Sequence, residues 1–352
     1  MIKHVVITGG SGFIGSHLIA RLLPLGFKIT NIDITNPRTL TTVATSLYQH
    51  TQDLEYLPGD FRNRLVIRSA LEKADAVIHL AGSYNNGAEA IQTNSYGSRF
   101  IFRELARHSH HLKKVIVAST SQVYGEGEHC CSACELSFFG TRKTSDLEQK
   151  KFDVHCPRCG SPAIGLANNE ENGRAPSSVF AKSMAAVEDT ASEFAFHTGV
   201  STTILRYFNV FGSGDWRNNP GKEILADIHQ NLLNKQHIIL PEFGNCSRDF
   251  IHVFDAVEIT LTCLLADLPE LTLLNVGSGN ARLVWEAAEE LSDICGIRGK
   301  SLQTSAFTPG EPRSSYAETS QLKKLLGFKP RTNFRQGLEE LTRYSGIMVD
   351  AA

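Results

Sequence analysis

The chain is poor in the features that would send a protein to a charged polymer or a lipid. Its 35 Lys and Arg are balanced by 37 Asp and Glu, leaving a formal net charge of −2 over 352 residues. That gives no bulk attraction to nucleic acid or anionic membrane. No apolar run reaches the ~20 residues that span a bilayer. The first residues, Met1 to Thr8, run straight into a strand-like segment rather than a signal peptide. The expectation is a cytoplasmic protein with neither a nucleic-acid nor a membrane partner. In that compartment its eight cysteines read as thiols or metal ligands. No internal repeat is evident. What is present, 41% apolar residues and 28 glycines, fits a globular chain long enough for a large α/β domain and a smaller companion.

Lys3 to Thr8 is a short apolar, β-branched run that reads as a buried strand. It feeds into Gly9-Gly-Ser-Gly12-Phe13-Ile14-Gly15, followed by an amphipathic stretch from Ser16 to Leu25. Glycine at such a turn lets backbone amides approach a pyrophosphate. The third glycine lets the helix pack on the strand, and the helix amino terminus faces the anion. A second strand, Lys28 to Ile32, ends in Asp33, whose carboxylate suits both ribose hydroxyls of adenosine and repels a 2′-phosphate; NAD is favoured over NADP. Further strand-like runs at Leu54 to Leu57, Ala76 to Leu80 and Lys114 to Ser119 alternate with helix-length segments. That alternation predicts a doubly wound parallel Rossmann sheet with its ligand at the carboxyl ends of the strands. Asp60 and Phe61 fall at one such end, with Asp60 placed for the adenine amino group, and Leu80, Ala81 and Gly82 at the next. His79, inside an apolar strand, reads as a core histidine.

Several motifs in fixed order resemble the extended short-chain dehydrogenase/reductase group, the NAD-dependent epimerase/dehydratase family acting on nucleotide sugars. They are the glycine turn, Ser119-Thr-Ser-Gln-Val-Tyr124-Gly125, Arg206-Tyr-Phe-Asn209-Val-Phe-Gly212, Arg248-Asp-Phe-Ile-His252, Asn275-Val-Gly-Ser-Gly279, Gly310-Glu-Pro-Arg313 and Leu325-Leu-Gly327-Phe-Lys-Pro330. The resemblance covers almost the whole chain. It implies that Thr120 hydrogen-bonds the reacting sugar hydroxyl, and that Asn209, Arg248 and Arg313 hold the diphosphate and nucleotide. Forked guanidinium donors suit a diphosphate; surface ion pairs are the alternative reading of each arginine. Dehydratases of the family follow the Thr120 position with Asp-Glu, whereas Ser121-Gln122 stand here, which argues against 4,6-dehydration.

The departure lies in Pro176-Ser-Ser-Val-Phe180-Ala-Lys-Ser183-Met184, which has the shape of the family's Y-x-x-x-K helix with Phe180 for Tyr and Met184 for Lys. A phenol exchanges a proton with a sugar hydroxyl; a benzyl ring does not, and the ammonium that would stabilise the phenolate is gone too. Lys182 lies roughly 200° around the helix from Met184 and should face elsewhere. Tyr124 is the nearest phenol in sequence, at a position the family uses structurally.

Between Tyr124 and Phe180 stand Cys131-Ser-Ala-Cys134 and Cys156-Pro-Arg-Cys159-Gly160. Two C-x-x-C knuckles about twenty residues apart let four thiolates converge on one structural Zn²⁺, with paired disulfides or free thiols as alternatives and Cys130 as a competing ligand. Cys246, Cys263 and Cys295 read as core thiols. The insert resembles the zinc-ribbon branch of the family that includes dTDP-L-rhamnose 4-epimerases. The expected organisation is an NAD-binding domain over 1–125, 176–205 and 252–276, the zinc ribbon over 126–175, and a nucleotide-sugar-binding domain over 209–251 and 280–347. Leu166 to Ala175 reads as a polar loop closing the insert, and Met348 to Ala352 as a fraying end. By family resemblance, helices over Gly87 to Ser109 and Pro176 to His197 pair across a homodimer. Two functions follow: an NAD-dependent nucleotide-sugar epimerase-like enzyme, or a protein that binds NAD and a nucleotide-diphosphate sugar with little or no turnover.

Overall fold

The computed structural model describes residues 1–36, 52–85, 87–214, 224–297 and 301–344. The ends of the 280–347 segment and of the chain, from 345 onward, lie outside the described residues. Seven parallel strands form the central sheet: β1 (His4–Thr8), β2 (Lys28–Asp33), β3 (Leu54–Pro58), β4 (Ala76–His79), β5 (Lys114–Thr120), β9 (Ser201–Tyr207) and β13 (Leu271–Val276). Their order is β13-β9-β5-β4-β1-β2-β3. The chain builds outward from β1 in one direction, then returns to the other side of it with β4. This is a doubly wound parallel sheet, and the crevice for a ligand opens where the order reverses, between β1 and β4.

Alternation along each strand distributes two cores. Val5 and Ile7 point to the face covered by the Phe13–Leu22 and Val253–Leu265 helices, with Leu18, Leu22 and Ile259. Val6, Val77 and Val115 point to the opposite face, against the Arg64–Leu71, Gly97–Arg107 and Val179–Thr198 helices. Both faces are covered, so the central strands β1, β4 and β5 are buried over most of their length. A third core, with Phe211, Leu225, Phe250, Leu291 and Leu338, joins the Ile224–Leu233, Val284–Cys295 and Phe334–Tyr344 helices to a smaller sheet. That sheet holds β10 (Asn209–Phe211), β12 (Ser247–His252) and β14 (Ala281–Leu283), with β16 (Ser314–Ser315) also on β12. Two further strands, β11 (Ile238–Leu240) and β15 (Ser301–Gln303), pair with each other. The cysteine insert forms its own three-stranded sheet, with β6 (Glu128–Cys130) between β7 (Ser137–Phe139) and β8 (Ile164–Gly165).

One sequence expectation needs correction. The helix expected from Gly87 to Ser109 is broken in kind: Ala88–Ala90 leads into a π turn over Ile91–Tyr96, and the α-helix runs only over Gly97–Arg107. The wide turn coincides with the buried Asn94, whose amide bonds to two other segments. Leu166 to Ala175 is an irregular loop, as expected, and it is tied to neighbouring segments. Asn168 N donates to Tyr316 O at 2.9 Å, Ala175 N to Val123 O at 2.9 Å, and Asn275 N to the Glu170 carboxylate at 2.7 Å. These bonds satisfy backbone groups of neighbouring segments, which a composition-based reading of a polar stretch does not reveal.

Candidate functional site

Close approach explains the glycine turn. Gly9 has φ +76°, and a Cβ there would lie 2.7 Å from Ala81 N; on Gly15 it would lie 2.4 Å from Gly9 O. Only glycine fits either place. Gly12 begins the Phe13–Leu22 helix without a side-chain cap, and no acidic residue stands in the first turn, so its first amides face the crevice free of any internal anion. Asp33 ends β2 beside this turn and accepts from Ser11 N at 3.0 Å and Thr35 N at 2.9 Å. Burial raises its pKa, opposed by those amide donors. The glycine turn is thus held between Ala81 on one side and Asp33 on the other.

Asp60 forks onto Arg62, with bonds of 2.9 and 2.5 Å, and this pairing holds its carboxyl below the usual range. Phe61 is buried and stacks edge-on to His79 at 5.0 Å. His79 bonds Thr8 Oγ1 at 2.6 Å, and full burial pushes its pKa down to about 4. A neutral, satisfied core imidazole is the result.

Thr120 closes β5 and accepts from Gln122 N at 3.3 Å. The helix bearing Phe180 is fixed against this strand by a buried cluster. Glu188 accepts from Ser119 Oγ at 2.6 Å and from Arg206 Nε and Nη2 at 2.8 and 2.7 Å. Phe180 is 6% exposed, with its ring centroid 5.4 Å from that of Tyr84 and the planes 30° apart. Met184 packs with Tyr124 and Phe208. Lys182 is exposed, away from these side chains. Tyr124 donates to Asn275 Oδ1 at 2.8 Å beneath the Arg206 guanidinium, and burial pushes its pKa up to about 12.

Asn209 and Arg248 lie on neighbouring strands, β10 and β12. Arg248 Nη1 donates to Pro312 O at 2.9 Å, and Ser247 N donates to Arg313 O at 3.0 Å, so the two arginines are brought side by side. Each already meets a carboxylate. Arg248 lies 3.4 Å from Glu311, which also accepts from Gln122 Nε2 at 2.9 Å. Arg313 bonds Glu242 and Asp153, both at 3.0 Å. Behind them Arg142, 3% exposed at its side chain, binds Glu126 and Glu242 at 2.6 and 2.9 Å.

Cys131, Cys134, Cys156 and Cys159 converge, their sulfurs all within 4.8 Å of one another. Separations of 3.4 Å (Cys131–Cys159) and 3.5 Å (Cys134–Cys156) are too long for disulfides. They approach the ~3.8 Å edge of a tetrahedron with Zn–S bonds of ~2.3 Å. The residue after each knuckle is left-handed, Glu135 at φ +56° and Gly160 at φ +73°. The Ser161 hydroxyl and backbone amide lower the Cys159 thiol to about 6. Cys130 is not in the cluster, and Cys246, Cys263 and Cys295 are buried elsewhere.

Sequence reasoning missed three elements of this architecture. Asn94 bridges Ser83 and Ser183 with bonds of 2.8 to 2.9 Å, fastening the loop after β4 to the Phe180 helix. The Glu188–Arg206 pair joins Arg206, which opens a motif visible in the sequence, to a partner that its spacing does not reveal, and Arg142 left no signal, since a single charged residue has no period.

The model of the NAD dependent epimerase/dehydratase family matches residues 5–144 and 160–277, and the chain belongs to that family. It is an epimerase-like member. Among relatives, dTDP-L-rhamnose 4-epimerase of Burkholderia thailandensis is 24% identical over 99% of this chain and 96% of its own length. Among solved structures, a tyrosine-to-phenylalanine mutant of UDP-glucuronic acid 4-epimerase from Bacillus cereus, in complex with UDP-4-deoxy-4-fluoro-glucuronic acid and NAD, is 21% identical, with TM-score 0.78 over 97% of this chain and 98% of that one. UDP-N-acetylglucosamine 4-epimerase from Methanobrevibacter ruminantium is 25% identical, with TM-score 0.75 over 98% of both chains. Among the described residues, no helix is long and apolar enough to cross a membrane.

Proposed function

We propose that the chain is an NAD-dependent nucleotide-sugar 4-epimerase-like isomerase, taking a dTDP- or UDP-hexose, with an acid/base site that lacks the family's Tyr and Lys. The observation that supports this reading is the family match over residues 5–144 and 160–277 together with the glycine turn packed between Ala81 and Asp33, against which Phe180 and Met184 are the departures. NAD would accept a hydride from the sugar and return it to the opposite face. The amides from Gly9 to Gly15, with Phe13 and Ile14, hold its pyrophosphate. Asp33 holds the adenosine ribose and selects NAD over NADP. Asp60 and Phe61 flank the adenine, and Leu80 to Gly82 the middle of the cofactor. Asn209, Arg248 and Arg313 grip the sugar diphosphate, exchanging carboxylate for phosphate partners. Thr120 orients the reacting hydroxyl. The apolar surfaces of Phe180 and Met184 keep water from the reacting carbon. The four-cysteine cluster is a structural Zn²⁺ site that holds the 126–175 insert together. The 209–251 and 280–347 segments form the nucleotide-sugar side of the crevice, and the protein works in the cytoplasm as a homodimer.

The second reading, a weakly active or inactive protein that binds NAD and a nucleotide sugar, is favoured by one observation: a phenyl ring and a thioether stand where proton transfer is needed. The Bacillus cereus Tyr-to-Phe mutant is described in complex with both NAD and a nucleotide sugar. Incubating the NAD-loaded protein with a panel of dTDP- and UDP-hexoses decides between the readings. Epimer formation is expected from at least one sugar. Calorimetric binding of NAD and sugar nucleotides with no epimer from any of them would replace the first reading by the second.

A further inference from the structure

The phenyl ring at position 180 has a phenol beside it. Tyr84 follows the Leu80-Ala81-Gly82 segment that walls the crevice, and its ring lies 5.4 Å from the Phe180 ring, the planes tilted by 30°. The loop carrying it is held at both ends of this juxtaposition. Gly9 packs against Ala81 at its start. Ser83 N donates to Asn94 Oδ1 at 2.8 Å, and Asn94 Nδ2 donates to Ser183 Oγ at 2.9 Å. Ser183 Oγ in turn donates to Phe180 O at 2.7 Å. Tyr84 is therefore held beside the turn of helix that bears Phe180, with 59% of its surface open.

Tyr124 is buried on Asn275, His79 is buried on Thr8, and Glu311 lies between Gln122 and Arg248. Lys182 is exposed.

We infer that Tyr84 is the catalytic phenol of this chain, entering from the loop after β4 to the place the family fills from the helix. This rests on the epimerase reading. The C4 hydroxyl of the sugar gives its proton to the Tyr84 phenolate as the C4 hydride leaves for NAD, forming the C4 carbonyl. On return, hydride adds to the other face and the phenol gives the proton back to the C4 oxygen. Phenolate and oxidised cofactor are both regenerated, so nothing is consumed.

The test uses the full-length, NAD-loaded protein and Tyr84→Phe, which keeps the ring and removes only the hydroxyl. Epimer formation from the accepted hexose should fall on the order of 10²–10⁴-fold, the weight of a positioned proton-transfer group, with little change in sugar-nucleotide affinity. Adding Phe180→Tyr with Met184→Lys to that variant should restore turnover, which a merely structural tyrosine would not allow. A second readout does not depend on turnover. Tetranitromethane nitration of wild type, read by peptide mass, should be slowed at Tyr84 about tenfold by NAD with UDP-glucose or dTDP-glucose at ten times its Kd. The similarly exposed Tyr96 should react unchanged. Turnover of Tyr84→Phe equal to wild type, or nitration of Tyr84 indifferent to bound ligands, overturns the Tyr84 assignment alone. A wild-type protein that binds both ligands and forms no epimer overturns the assignment together with the epimerase reading.

Discussion

Glu188 is surrounded in the core by a hydroxyl and a forked guanidinium, and it fixes the Phe180 helix against the strand bearing Thr120. Removing it strands the Arg206 charge, since Arg206 is only 3% exposed. Glu188→Ala is therefore expected to lower unfolding free energy by about 3–5 kcal/mol, measured by denaturant titration. His79 shows the opposite strategy, burial without charge. Its folded-state pKa of about 4 lies below the ordinary 6.5. Between those values the unfolded chain takes up a proton that the native chain refuses, so stability falls as pH drops through that window. The share from His79 is about 3 kcal/mol. Burial depresses His17, His129, His229 and His252 in the same direction. Denaturation midpoints measured from pH 7 to 4 should fall, and His79→Gln should flatten part of the slope.

On the proposed zinc reading, the cysteine insert is the element most dependent on a ligand. Four thiolates closing on one point would leave no open coordination position for chemistry, so a metal held there would be a staple. Cys156→Ser should abolish stoichiometric zinc by metal analysis and expose the insert to limited proteolysis, because the knuckles share one anchor. A full zinc content in that variant would refute the four-thiol site. Elements of this kind were legible in the sequence. Knuckle spacing, the glycine turn and β-branched strands each impose a residue type at a fixed interval, and such constraints survive translation into letters. The π turn at Ile91–Tyr96 did not show, because one extra residue in a turn leaves the apolar period of its neighbours intact. The place of Tyr84 was equally hidden: a residue after a strand has no periodicity, and its nearness to Phe180 is created by Asn94 across the fold.

At the scale of the whole molecule, the groove between the Gly97–Arg107 and Val179–Thr198 helices presents Arg99 and Arg103 from one side and Asp189 and Glu193 from the other. Opposite charges on a single patch suit a two-fold contact, in which each sign meets the other on the symmetry mate. Phe196, 82% exposed on the second helix, adds apolar area to cover. Light scattering at micromolar concentration should return the mass of two chains, and a single-chain mass would count against this assembly.

Arg142 joins regions made at very different times. It belongs to the insert, yet it is buried against Glu242, one hundred residues later, and its Nη2 donates to the Glu311 carbonyl at 2.6 Å. Asp153 likewise waits for Arg313. During synthesis, at ~5–20 residues per second, the insert spends several seconds with Arg142 matched to Glu126 but not yet to Glu242, and with Asp153 not yet matched to Arg313. Early metal capture would keep those side chains poised in place, so that the last third of the chain closes onto a finished surface. Starved of zinc, the same segment would offer its charges from a loose coil, and Glu242, held at the left-handed φ of +50°, would have no template to dock upon.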